Sequence, residues 1–158
     1  MKSYVLCFAH PIPHANTTDI VVIERKKIDW QTGKLNLPGG SVNEGETPVE
    51  AAVRELREET SLVASIADTK VLGTVRCNDC IVYVCFCPYR NWHDGAPQEP
   101  KAVSDEGAIL SLSWRELMVD PRLIPNLKII IPFCLARLTD WSINGTGAEP
   151  TWVVKLGE

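Results

Sequence analysis

No run of apolar residues in this 158-residue chain approaches the roughly 18 that a membrane-spanning helix requires. Positive charge is not in excess either. Sixteen Lys and Arg stand against twenty Asp and Glu, a formal net charge of −4, so the chain lacks the global basic field that drives nonspecific binding to nucleic-acid polymers. Any strongly anionic ligand would have to be met by local Arg and Lys or by a metal. Internal repeats and low-complexity linkers are also missing. The composition, 45% hydrophobic and 23% charged, argues against a disordered, collagen-like or coiled-coil chain. A chain of this length buries roughly 70% of its unfolded surface around one core, and a single domain over residues 1–158 is expected.

The apolar stretch Ser3–Ala9 is too short for a secretory signal and is stopped by Pro11 and Pro13, so it reads as a first strand. Cys85 and Cys87 alternate within Ile81–Cys87, a buried-strand pattern in which thiols pack as small hydrophobes. That usage points to a reducing cytoplasm. Cys77 and Cys80 form a CxxC, but Cys85 and Cys87 are separated by one residue, the wrong spacing for a zinc knuckle. A hairpin whose Asn78-Asp79 turn joins strands at 71–77 and 80–87 is the simpler reading.

Further strands are expected at 19–24 and near 108–110, giving a mixed α/β pattern. Residues 91–104, rich in polar residues, Gly and Pro, read as one long surface loop. Leu127, Ile130, Ile131, Cys134, Leu135 and Leu138 form a helical stripe that Pro132 must start or kink. The tail at 152–156 suits an edge strand.

The strongest helix signal begins at Thr47, where Thr47-Pro48-Val49-Glu50 offers an N-cap, proline at the first helical position and a capping-box glutamate. The helix should run to about Thr60. At about 100° per residue, Val49, Ala52, Val53 and Leu56 face the core, while Glu55, Glu58 and Glu59 share one flank. Like charges so placed repel. Either the flank is solvated, with Arg54 and Arg57 pairing locally, or a divalent cation neutralises it, in which case hard carboxylate oxygens favour Mg²⁺ or Mn²⁺. As a surface flank, it would be relieved rather than weakened by losing one charge. Leu37-Pro38-Gly39-Gly40 and Glu46 precede it. The glycines allow close backbone approach, so the Gly40 carbonyl could face a cation and nearby amides a phosphate.

Gly40, Glu46 and Arg54-Glu55-Leu56-Arg57-Glu58-Glu59-Thr60-Ser61-Leu62 resemble the Nudix box, with Ser61 where the family carries glycine. The Leu-Pro-Gly-Gly lead-in and Glu106, Trp114 and Leu117 extend the likeness over residues 3–138. The resemblance implies a Nudix-type α/β/α sandwich with a mixed β-sheet. It also implies Mg²⁺-dependent hydrolysis of a nucleoside diphosphate linked to a moiety X. It makes Glu55 and Glu59 the principal metal ligands, Glu58 a further ligand or base, and the Gly40 carbonyl part of the site. Arg54 would pair with Glu46 to support it, and Glu106 would supply an additional acid, although Asp105 makes that register ambiguous.

The box does not encode X. Asn36 stands where nucleotide-pool-sanitising members carry a base-reading asparagine, and an amide can both donate and accept. An ordinary polar strand residue is the competing reading. Trp30 and Trp92 offer aromatic faces for a base, and Arg25, Lys26, Lys27 and Lys34 are candidates for phosphate. The proline that ADP-ribose-type members carry past the box is missing around Arg76-Cys77. A nucleoside triphosphate or related nucleotide is therefore the leading substrate. ADP-ribose, a nucleotide sugar, or nucleotide sensing without turnover are the alternatives. The expected partner is a small nucleotide rather than nucleic acid or membrane, and a homodimer is compatible with the sequence.

Overall fold

The computed structural model describes residues 1–12, 19–27, 29–90, 92–144 and 152–155, with the side chains of all of these but 29, 92, 138–144 and 152. Strands that are apolar on both faces must be covered on both sides, and here the alternation divides them between two cores. From β1 (Lys2–Ile12), β2 (Asp19–Arg25) and β5 (Cys80–Arg90), one set comprises Val5, Cys7, Ala9, Val21, Ile23, Cys85 and Cys87. This set packs on Ala51, Ala52 and Leu56 of α1 (Pro48–Thr60). The opposite set, Phe8, Ile20, Val22, Val84 and Phe86, packs on Leu117 of α2 (Trp114–Val119) and on Leu127, Ile130, Ile131 and Cys134 of α3 (Leu127–Asn144). The layers are α/β/α, as the resemblance implies.

Two four-stranded sheets make the middle layer. In the first, β1 pairs in parallel with β5, β5 antiparallel with β4 (Lys70–Arg76), and β4 in parallel with β10 (Trp152–Lys155). The second has the order β3 (Leu35–Asn36), β2, β9 (Gly107–Ser113), β8 (Val103–Ser104), antiparallel throughout. The tail strand is thus an edge strand, while Leu156 lies outside the described residues.

Two expectations need correction. The stretch 91–104 is not one irregular loop, since Trp92–His93 pairs with Ala96–Pro97 and Val103–Ser104 extends the second sheet. Asn91 lies outside the described residues. The 77–80 turn is a hairpin, with Cys77 N–H donating to the Cys80 carbonyl at 3.1 Å, but those two cysteines are joined in a disulfide. Packing as buried thiols holds for Cys7, Cys85, Cys87 and Cys134. Of the two alternatives for Pro132, starting the helix is excluded, since it lies inside α3, where it removes one helix hydrogen bond. Leu127, Ile130, Ile131 and Cys134 of the expected stripe are buried, and the side chain of Leu138 is not among those described.

The helix that carries the acids is capped as its sequence dictates. Thr47 accepts from Glu50 N–H at 3.2 Å, and the Glu50 carboxylate accepts from Thr47 N–H at 2.8 Å. At the other end Ser61 adopts the left-handed conformation, φ 68°, its N–H donating to the Arg57 carbonyl. Serine takes up the geometry of the glycine it replaces, at a conformational cost that glycine does not carry. Ser61→Gly is expected to raise stability by about 0.5 kcal/mol after the added freedom of the unfolded chain is discounted. A rise in Tm of roughly 1–2 °C on thermal denaturation would show it.

Candidate active site

A cavity of about 1080 Å³ opens where the C-terminal half of α1, the Gly39-Gly40 turn, the end of β2 and the 101–106 segment converge. Glu55, Glu58 and Glu59 line it from α1, and Asp105 and Glu106 from the 101–106 segment. Periodicity correctly places the three glutamates on one flank, but their environments differ. The Glu58 side chain is 61% exposed, Glu55 15% and Glu59 only 8%.

Glu59 is buried because β2 supplies it with a counter-charge. Arg25 Nη1 lies 2.7 Å from Glu59 Oε1, its Nη2 donates to the Leu37 carbonyl at 3.2 Å, and Gly39 N–H donates to Glu59 Oε2 at 2.8 Å. Burial pushes the Glu59 carboxyl up, and the Arg25 guanidinium and the Gly39 amide pull against it. The Arg25 Nε–H is buried with no partner among the described residues. The same Nη1 stands 3.6 Å from Glu106 Oε2, so one guanidinium brings together acids that are far apart in sequence. Lys27 Nζ is also 3.6 Å from Glu106. Arg25 is therefore a buried partner of carboxylates, not the exposed hairpin cation that its neighbours in sequence suggest.

A second arginine organises the outer acids. Arg54 Nε and Nη2 meet the two oxygens of Glu46 at 2.8 and 2.9 Å, Nη1 reaches Glu55 at 2.8 Å and Glu58 at 3.4 Å, and Nη2 also donates to the Ser41 carbonyl at 2.9 Å. The two-point contact is the strong form of an arginine–carboxylate pair. It holds the Glu46 carboxyl below the usual range and the Arg54 guanidinium above its own. Both local pairing and the Glu46 pairing are present, whereas Arg57 forms no ion pair among the described residues.

Whether this flank suits a divalent cation turns on its donors. They are hard carboxylate oxygens with a backbone carbonyl nearby, the set Mg²⁺ and Mn²⁺ prefer. The Gly40 carbonyl accepts from Val5 N–H at 2.8 Å, leaving its second lone pair. A Cβ at Gly40 would occupy the space of the Glu55 carboxylate, so the missing side chain makes room for that ligand. Among the described residues no three acids converge as a ready-made chelate, because Arg25 and Arg54 occupy them. The donor set fits a cation, and the arginines are the counter-charges it would share.

Trp30, 67% exposed, Gln31 and Asn36 also line the cavity. Asn36 Oδ1 accepts from Leu37 N–H at 2.9 Å and its Nδ2 donates to Gln31 Oε1 at 3.1 Å, which leaves one Nδ2 hydrogen and one lone pair without a partner among the described residues. The side chain of Trp92 is not among those described. Sequence reasoning passed over Gln31, Asn126 and Lys101, which also line the cavity. Gln31 adjoins Trp30 and could have been found by that adjacency, whereas the other two carry no motif.

Residues 9–122 match the NUDIX domain. The chain is 30% identical over 124 residues to a nucleoside triphosphate pyrophosphatase/Nudix hydrolase fusion protein of Bifidobacterium longum, an alignment that takes in 78% of this chain and 23% of that protein. Among solved structures it resembles the NUDIX domain of Shewanella oneidensis NrtR complexed with ADP ribose (TM-score 0.67, 17% identity, covering 86% of this chain and 87% of that one). It also resembles the MutT mutator protein of Bacillus halodurans (TM-score 0.64, 17% identity, 84% and 80%). A third is a bifunctional NMN adenylyltransferase/ADP ribose pyrophosphatase of Francisella tularensis complexed with AMP and a manganese ion (TM-score 0.64, 20% identity, 86% and 41%). At these identities the structural likeness speaks for the fold. The match along residues 9–122 and the acid-bearing helix it encloses establish that the chain belongs to the Nudix hydrolase family.

Proposed function

We propose that this chain is a single-domain, cytoplasmic pyrophosphohydrolase that uses Mg²⁺, with Mn²⁺ able to substitute, to cleave a nucleoside diphosphate linked to X, most simply a nucleoside triphosphate. The observation that carries this reading is the lining of the cavity, which combines the α1 acids and Glu106 with Trp30 and Asn36. Glu55, Glu58, Glu59 and the Gly40 carbonyl are the residues to hold the cation. Bound there, it would neutralise charge on phosphate oxygens and lower the pKa of a water for attack on phosphorus. Arg25 keeps Glu59 charged and fixed, Arg54 and Glu46 hold the flank, and Glu106 is placed to accept a proton. Trp30 offers its face to a base.

A hydrolysis screen with Mg²⁺ over nucleoside triphosphates, dinucleotides, nucleotide sugars and ADP-ribose tests the reading. Silence across all of them, with tight binding of one by calorimetry, would instead make the chain a nucleotide sensor. ADP-ribose remains the alternative substrate, because one of the similar structures is a complex with ADP ribose and another is an ADP ribose pyrophosphatase.

Asn36 tests the base end. If its free N–H and lone pair read a base edge, Asn36→Ala lowers kcat/KM about fivefold to a hundredfold for the preferred nucleotide and leaves poorer ones nearly unchanged. An equal drop for all would place the effect at the Leu37 N–H that Asn36 now satisfies, beside the Pro38-Gly39-Gly40 turn.

A further inference from the structure

Most cations around the cavity are committed to carboxylates. Arg25 serves Glu59 and Glu106, Lys27 reaches Glu106, and Arg54 serves Glu46, Glu55 and Glu58. Lys26 and Lys101 line the cavity with no carboxylate within 4 Å among the described residues. Lys26 sits on an exposed turn. Lys101 is fixed, because its backbone N–H donates to the Thr60 carbonyl at 3.0 Å and its Nζ to the Glu58 carbonyl at 2.8 Å. These two bonds tie it to the last turn of the helix that carries Glu55, Glu58 and Glu59. A cation there also satisfies orphan carbonyls at a helix C-terminus, and capping alone would account for the bonds. Capping, however, uses one of the three ammonium hydrogens, and it does not require the residue to line the cavity.

We propose that Lys101 is a substrate-binding residue whose charge and remaining N–H groups take non-bridging phosphate oxygens of the polyphosphate, held in place by the same helix turn that presents the acids. The inference rests on the polyphosphate reading above. It also explains how an acidic cavity attracts a polyanion when Arg25, the arginine in its wall, is already paired. The phosphate-facing charge comes from a loop that the box does not include.

Lys101→Gln separates the two roles, since the amide can still donate to the Glu58 carbonyl while the charge is gone. Steady-state kinetics on the best nucleotide should show KM raised about tenfold with kcat within about twofold. KM should also respond less steeply to added salt, because one screened attraction has been removed, and Tm should be unchanged. Lys101→Arg should restore most of the affinity. Calorimetric binding of magnesium tripolyphosphate, weakened by the same factor in Lys101→Gln, gives a readout independent of turnover. Wild-type KM, salt response and tripolyphosphate affinity in Lys101→Gln would overturn the proposal and leave Lys101 as a cap, which a lower Tm in Lys101→Met would then report. If the wild-type chain hydrolyses no nucleotide yet binds tripolyphosphate through Lys101, the hydrolytic reading fails and this one stands.

Discussion

Glu59→Gln is expected to abolish turnover, by several orders of magnitude, and to destabilise the fold by about 3 kcal/mol. The first loss follows from removing the charge on a proposed metal ligand. The second follows from burial, because Glu59 and Arg25 are both more than nine-tenths enclosed and lie 2.7 Å apart. Removing Glu59 leaves the guanidinium with only the more distant Glu106 carboxylate, 3.6 Å away, in a place water hardly reaches. The sequence alone points the other way, since one of three crowded glutamates should be dispensable on a surface flank. The sign reverses because the closest charge to Glu59 is Arg25 from another strand, not Glu55 or Glu58 from its own helix. Thermal denaturation should show Tm lower by roughly 6–10 °C. Glu58→Gln, at the exposed end of the flank, should leave Tm almost unchanged. A Glu59→Gln protein as stable as wild type would remove the buried pair from the account.

The adjacent glycines should fail in opposite ways. Gly39 has φ 156°, and a Cβ there would strike the Val5 carbonyl of β1, a backbone group held in the core. Gly39→Ala should therefore destabilise the fold by about 3 kcal/mol or more and disturb the amide that serves Glu59. At Gly40 the added Cβ would meet the end of the Glu55 side chain, which can rotate away. Gly40→Ala should keep Tm within about 2 °C, consistent with the small effect of changes that flexible side chains absorb, and still lose most activity. Melting curves and initial rates on the two proteins distinguish these outcomes. Equal losses of Tm would mean that the turn, not the carboxylate, sets the tolerance at both positions.

The elements that could be read from the sequence are those with local signals. Thr47, Pro48 and Glu50 fix the start of α1 without help from the rest of the chain, and the alternation in β5 and the Asn78-Asp79 turn likewise depend on neighbours. The three-glutamate flank, Glu46 and Arg54 are legible for the same reason, as they belong to one helix and its lead-in. Arg25, Glu106 and Lys101 are different. Their roles depend on which strand end and which loop arrive beside α1, and no periodicity records that meeting. Arg25 in particular looks like part of a solvated basic hairpin, with Lys26 and Lys27 beside it, until the pleat of β2 turns it inward. The short strands at 92–93, 96–97 and 103–104 escaped because two-residue pairings leave no pattern in composition.

The parallel pairing of β1 with β5, which sets Lys2 opposite Cys80 and Ile12 opposite Arg90, constrains how the chain reaches its native state. Closing a loop of that size costs entropy before any ladder bond is made, so the β4–β5 hairpin is expected to form early and β1 to join late. Until β1 is seated, Val5 N–H and Cys7 N–H have no Gly40 and Pro38 carbonyls to meet, and the glycine turn has no wall to lie against. Competence to bind nucleotide should thus emerge in the slowest refolding phase, after most secondary structure is in place. During synthesis β1, apolar and unpaired, must wait for β5, a partner made long after it.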